Sequence, residues 1–192
     1  MKPPLHNPRT PEAEVDSSFV DRWSPRALAP EPLAEEQIAA LFEAARWSPS
    51  CYNEQPWLFL YATGAEDRER FASALVERNR LWASRAPLLL FVLTRLNFQQ
   101  NQKPNRHAGF DAGAAWMALA LLARRLGLYA HAMSGFNRQK ALEVLGVSAE
   151  EYEVMAAVAV GRRGSADQLP QELADLERPN ERKPLTAVAR PG

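Results

Sequence analysis

The chain has 192 residues, 46% apolar and 24% charged, which suits one packed domain of ordinary size. Its 23 lysines and arginines balance 23 aspartates and glutamates, which argues against nucleic acid as the main partner, because phosphate binding normally leaves a basic excess or stripe. One cysteine, Cys51, excludes an intrachain disulfide, and three scattered histidines (His6, His107, His131) at no ligand spacing argue against a metal site.

Residues 1–18 are rich in proline and charge, and an extended arm is expected there, with 19–192 forming a single domain. The opening segment has no apolar core of signal-peptide length. The longest apolar stretch, 112–123, is too short to span a bilayer, so a cytoplasmic protein without membrane contact is expected. From Pro32 to Arg46 the apolar residues Leu33, Ile38, Leu41, Phe42 and Ala45 follow helical spacing. A buried strand follows at 57–63, then one polar helix from Glu66 to Asn79 with Phe71, Leu75 and Val76 on its apolar face. Residues 88–94 are the clearest strand.

Asn97 to Arg106 has no apolar period and is expected to be a surface loop. Asp111 to Leu126 is apolar on nearly every face, predicting an enclosed helix with Asp111 supporting its start and Gly127 ending it. A strand at Tyr129–Met133, a helix from Asn137 to Gly146 and a strand at Val154–Val160 complete the core. The tail beyond Arg162 is polar and broken by prolines, with residues 185–188 available to pair with a sheet edge of the same or a neighbouring subunit. Helices mixed with buried strands define an α+β or α/β layered domain.

Four clusters can carry chemistry. In Arg22-Trp23-Ser24-Pro25-Arg26, two planar, permanently charged guanidinium groups flank a hydroxyl and suit a phosphate; surface arginines around a Ser-Pro turn are the plainer reading. In Pro49-Ser50-Cys51-Tyr52-Asn53-Glu54-Gln55-Pro56-Trp57, amides and hydroxyls between prolines offer both donors and acceptors to a flat polar ligand, or merely connect a helix to a strand. Ser134-Gly135-Phe136 lets a backbone amide approach a ligand with no Cβ in the way, or is an ordinary tight turn. Arg182-Lys183, before Pro184, completes a phosphate site or is simply solvated.

Taken in chain order, these clusters resemble the signature of the nitroreductase family. The order includes the Asp111-Ala-Gly-Ala-Ala helix ending in Gly127-Leu128, the Val-Gly strand end at 160–161 and the basic-Pro-Leu tail. The resemblance implies an α+β fold, a mixed β-sheet flanked by helices, with the tail exchanged between the subunits of an intertwined homodimer. It implies FMN at the subunit interface, with Arg22, Ser24 and one of Arg182 and Lys183 on the phosphate and Arg26 at the flavin N1–O2 edge. Pro49, Ser50 and Asn53 would meet the ring, supported by Gln55, and Asn79 is a further ring-edge candidate. Ser134 and Gly135 would present amides near N5. Trp23, where the family often carries a polar or basic residue, departs from the pattern and alters the pocket floor, while Cys51 and Tyr52 fill variable positions.

The function implied is hydride transfer from NAD(P)H through flavin N5 to a nitroaromatic, quinone or related acceptor in a ping-pong cycle. A non-catalytic flavin carrier or sensor using the same pocket stands beside it. No side chain is needed as a nucleophile, and Cys51, with no histidine partner in sequence, reads as a passive thiol.

Overall fold

A computed structural model describes residues 7–192. In chain order the helices and strands are α1 (Ser17–Asp21), α2 (Glu35–Arg46), β1 (Trp57–Ala62), α3 (Ala65–Ala72), α4 (Glu77–Ala83), β2 (Leu88–Arg95), α5 (Ala108–Arg125), β3 (Tyr129–Met133), α6 (Arg138–Leu145), β4 (Tyr152–Gly161), α7 (Gln171–Ala174) and α8 (Leu185–Val188). The strands form one antiparallel sheet in the order β1-β2-β4-β3.

Side chains alternate across the sheet, so each strand feeds two cores. Leu89, Phe91, Leu93, Ala157 and Ala159 face one layer with Phe71, Trp82 and Ala141 from α3, α4 and α6. Leu88, Leu90, Val92, Val158 and Val160 face the other with α2 and α5. Strand β2 is central and covered on both faces, and residues 88–94 are all buried. That explains its unbroken apolar run, where a half-solvated strand would alternate. Helix α5 ends as Gly127 adopts φ 74°, with the Leu128 amide reaching back to the Ala123 carbonyl at 2.7 Å. This closing turn satisfies orphan carbonyls and favours a residue without a Cβ.

Several expectations are corrected. The single helix at 66–79 is two, α3 and α4, separated by a turn in which Val76 donates to the Gly135 carbonyl at 3.0 Å and Leu75 bridges Phe136. Pairing with the turn after β3 outweighs helical continuity there. Helix α5 starts at Ala108, before Asp111, whose carboxylate serves a distant loop, and the helix is buried along one face rather than enclosed all round. The 185–188 segment is a short helix, so it adds no strand. The arm expected over 1–18 ends earlier, because α1 begins at Ser17; residues 7–16 have no helix or strand, and residues 1–6 lie outside the described residues. Among the described residues no helix is long and apolar enough to cross a membrane.

Candidate functional site

The segment Arg22–Arg26 leaves α1 extended and is anchored from three sides. Trp23 is buried edge-on against Tyr129 of β3, ring centroids 6.0 Å apart. His131 Nδ1 lies 3.0 Å from the Pro25 carbonyl oxygen. From the tail, the buried Glu177 carboxylate accepts the Arg26 amide at 3.0 Å and the Ala27 amide at 2.8 Å. With its backbone satisfied in this way, the segment holds the side chains of Arg22, Ser24 and Arg26 on the wall of a cavity of about 900 Å³.

The charge in this hollow is lopsided. Arg9, Arg22, Arg26, Arg178 and Arg182 line it against one acid, Glu181. Arg9 is spent on structure, donating to the carbonyls of Asn180 (2.6 Å), Val20 (3.0 Å) and Arg22 (2.7 Å). The Arg22 and Arg26 guanidinium groups have no hydrogen bond or ion pair among the described residues. Burial, then the charge on Arg182, pulls Arg22 below the usual guanidinium value; burial, then Arg182 and Arg22, does the same to Arg9. Cations crowded and desolvated without carboxylates are relieved by an anion.

The proline-bounded loop stands elsewhere. It leads into Trp57, paired with Thr94 at one end of β1, whereas Trp23 packs on Tyr129, paired with Gly161 at the other end of the sheet and on its far edge. Three strand spacings separate those edges, about 14 Å. Within one chain, Pro49, Ser50, Asn53 and Gln55 therefore share no hollow with Arg22. The loop holds three of the four non-glycine residues with positive φ among those described, Tyr52 (53°), Asn53 (55°) and Gln55 (50°). Each costs roughly 1 kcal/mol. The bonds holding it include Gln55 N–H to Ser50 Oγ (2.9 Å), Gln55 Nε2 to the Asn53 carbonyl (3.1 Å), Cys51 N–H to the buried Asp111 carboxylate (3.1 Å) and Gln99 N–H to the Glu54 carboxylate (2.6 Å). Trp47, Tyr52 and Phe110, at 72%, 83% and 82% exposure, leave large apolar surface around it.

Asn79 and the 134–135 turn occupy the hollow's own edge of the sheet without lining it. Asn79 Nδ2 donates to the Gly135 carbonyl at 3.1 Å, and a Cβ on Gly135 would lie 2.5 Å from that nitrogen. Trp82, one turn along α4 from Asn79, stacks on His131 at 4.6 Å between centroids. Of the tail pair, Arg182 lines the arginine hollow, while Lys183 lines only an adjacent groove with Glu12 and Phe19. Sequence reading missed Arg9, His131 and Glu177, and gave Asp111 a different task. Asn180 for Arg9, Pro25 for His131, Ala27 for Glu177 and Cys51 for Asp111 lie 60 to 171 positions away in the chain, and nothing local announces those pairings. Among the described residues no group of three or more His, Cys, Asp or Glu could hold a metal ion.

The four-stranded antiparallel sheet covered by helices, with an arginine hollow on one edge, defines an α+β domain built to take an anion. A model of the nitroreductase family matches residues 20–81 and 76–162, and the chain belongs to that family. A solved structure described as an oxidoreductase containing FMN is 41% identical, with TM-score 0.92, covering 97% of this chain and 96% of the other. A provisionally named nitroreductase from Desulfovibrio desulfuricans, solved in complex with FMN, has the same fold at 22% identity, TM-score 0.74, with 92% and 95% coverage. A Streptomyces coelicolor protein provisionally named NADH dehydrogenase/NAD(P)H nitroreductase is 27% identical over 149 residues, 68% of this chain and 74% of the relative.

Proposed function

We infer that the chain is an FMN-dependent oxidoreductase that takes reducing equivalents from NADH or NADPH and passes them to a nitroaromatic, quinone or related acceptor. The observation that carries this is the hollow whose arginines lack carboxylate partners, a fit for a dianionic phosphate. Family membership and the FMN-containing relative of 41% identity support the same coenzyme.

When bound, FMN supplies the hydride chemistry, alternating between the nicotinamide and the acceptor in a ping-pong cycle. Arg22, Ser24 and Arg182 would hold the phosphate. Arg26 would stabilise negative charge on the pyrimidine edge, its backbone held beforehand by Glu177 so that little reorganisation is needed. Ser134 and Gly135 would present backbone amides to the ring, and Asn79 keeps that turn in place. Pro49, Ser50, Asn53 and Gln55 can reach such a ligand only from a second copy of the chain. The reading therefore includes a homodimer that joins the arginine hollow of one subunit to the strained loop of the other, with the exposed aromatics covered.

The test is direct. The purified protein should be yellow, release FMN on denaturation, run at twice the chain mass, and lose its visible colour on mixing with NADH or NADPH until an acceptor restores it. Colourless protein with no affinity for FMN overturns the reading, and bound FMN that neither nicotinamide bleaches points to a carrier.

A further inference from the structure

The arginine hollow contains one hydrogen-bond acceptor of unusual character. The ring of His131, in the middle of β3, lines the cavity beside guanidinium groups. Its Nδ1 is 3.0 Å from the Pro25 carbonyl oxygen, and since a carbonyl only accepts, Nδ1 carries the proton. The Trp82 indole lies over the ring at 38° and fixes its plane. Burial, then the positive charges of Arg26 and Arg22, lowers its pKa to about 4, so the imidazole is neutral near pH 7. A neutral ring protonated at Nδ1 keeps a lone pair on Nε2, and no group among the described residues donates to it.

That lone pair limits what can sit opposite. A phosphate oxygen would be repelled, and a metal cation is disfavoured by the surrounding arginines. The partner must be an O–H or N–H donor. The ring also feels both Arg22, assigned above to the phosphate, and Arg26, assigned to the flavin edge. The part of FMN joining those two ends is a chain of hydroxyl groups. We propose that His131 is a coenzyme-binding residue whose Nε2 accepts a hydrogen bond from a hydroxyl of that chain, fixing the length between phosphate and ring. This rests on the FMN reading above and adds a residue-level contact to it.

The experiment compares FMN with a flavin carrying a hydroxyl-free phosphopentyl chain at N10, each titrated by fluorescence quenching into deflavinated wild-type protein and His131→Phe. Phenylalanine keeps the stacking on Trp82 and removes the acceptor; it also removes the Nδ1 donor to the Pro25 carbonyl, a loss that would weaken both ligands alike and is therefore read from the analogue. Wild type should favour FMN over the analogue, and His131→Phe should weaken FMN by about three- to tenfold while leaving the analogue nearly unchanged. In parallel, the Nε2 nitrogen resonance of wild-type His131 should move on adding FMN and stay in place with the analogue, a readout that does not depend on the variant folding. Equal weakening of both ligands by His131→Phe, or an unmoved Nε2 resonance on FMN binding, overturns the proposal. Wild-type protein that binds neither ligand overturns the FMN reading instead.

Discussion

The arginine hollow and the strained loop are both polar and both contain prolines, yet only the first turns its charged side chains into a shared cavity. Around 22–26 the backbone is tied down by Glu177 and His131, which leaves charged side chains free and facing inward. Around 49–55 the backbone is held in disfavoured φ by a few bonds, and the side chains of Asn53 and Gln55 face outward. The hollow is preorganised for a ligand's charged end. The loop holds three residues in positive φ, strain that the proposed dimer would put to use. On the proposed dimer, a binding site divided this way would couple ligand affinity to assembly.

The comparison breaks most visibly by complementation. Arg22→Ala and Asn53→Ala homodimers should each be nearly inactive, since every site carries one lesion. In a mixed dimer, one site carries both lesions and the other none, so co-refolding should restore about a quarter of wild-type FMN-dependent activity. No recovery, with mixed dimers demonstrated by mass, would place both clusters in the same subunit's site.

The anchors differ in size. Glu177→Ala strands two backbone amides and should lower stability by about 3 kcal/mol in urea melts, whereas Asp111→Ala strands the single Cys51 amide and should cost about 1–2 kcal/mol. Equal losses would mean that the loop is held as firmly as the hollow.

Removing a ligand-facing charge should behave in the opposite way. Arg22→Ala is expected to weaken FMN about ten- to a hundredfold, for one charge-assisted contact, without destabilising the apoprotein, because burial and Arg182 already oppose the Arg22 charge. Unchanged affinity measured by equilibrium dialysis would remove Arg22 from the site.

The remaining effect is on pH, and only a part of it falls within any one unit. His131 titrates near 4 in the fold against an ordinary 6.5, so between those values the unfolded chain binds a proton that the folded chain refuses. Stability should fall as pH drops through that window, by at most about 1.4 kcal/mol per unit, with no contribution above it. Urea midpoints of His131→Phe should fall less steeply over the same range, and parallel curves would deny His131 its depressed pKa.

Much of this was legible in the sequence, and for identifiable reasons. The buried run at 88–94 and the alanine-rich helix announced themselves by hydrophobic pattern, and Gly127 by the turn only it accommodates easily. The Arg22-to-Arg26 and Pro49-to-Trp57 motifs were readable because their polar side chains lie close together in the chain. Glu177, His131 and Arg9 were not, because such a carboxylate, imidazole or guanidinium acquires its role from a partner supplied by tertiary folding. The division between α3 and α4 was hidden likewise, since the carbonyl of Gly135 that receives the Val76 amide belongs to a later turn.

Arg9 joins the first described segment to the last, through Arg22 on one side and Asn180 on the other, and Glu12 holds the Leu185 amide nearby. Both segments thus meet at the rim of the arginine hollow. Coenzyme loading should accordingly slow trypsin at the two flanks in concert, and a purification tag on either one should alter how tightly the yellow colour survives dialysis.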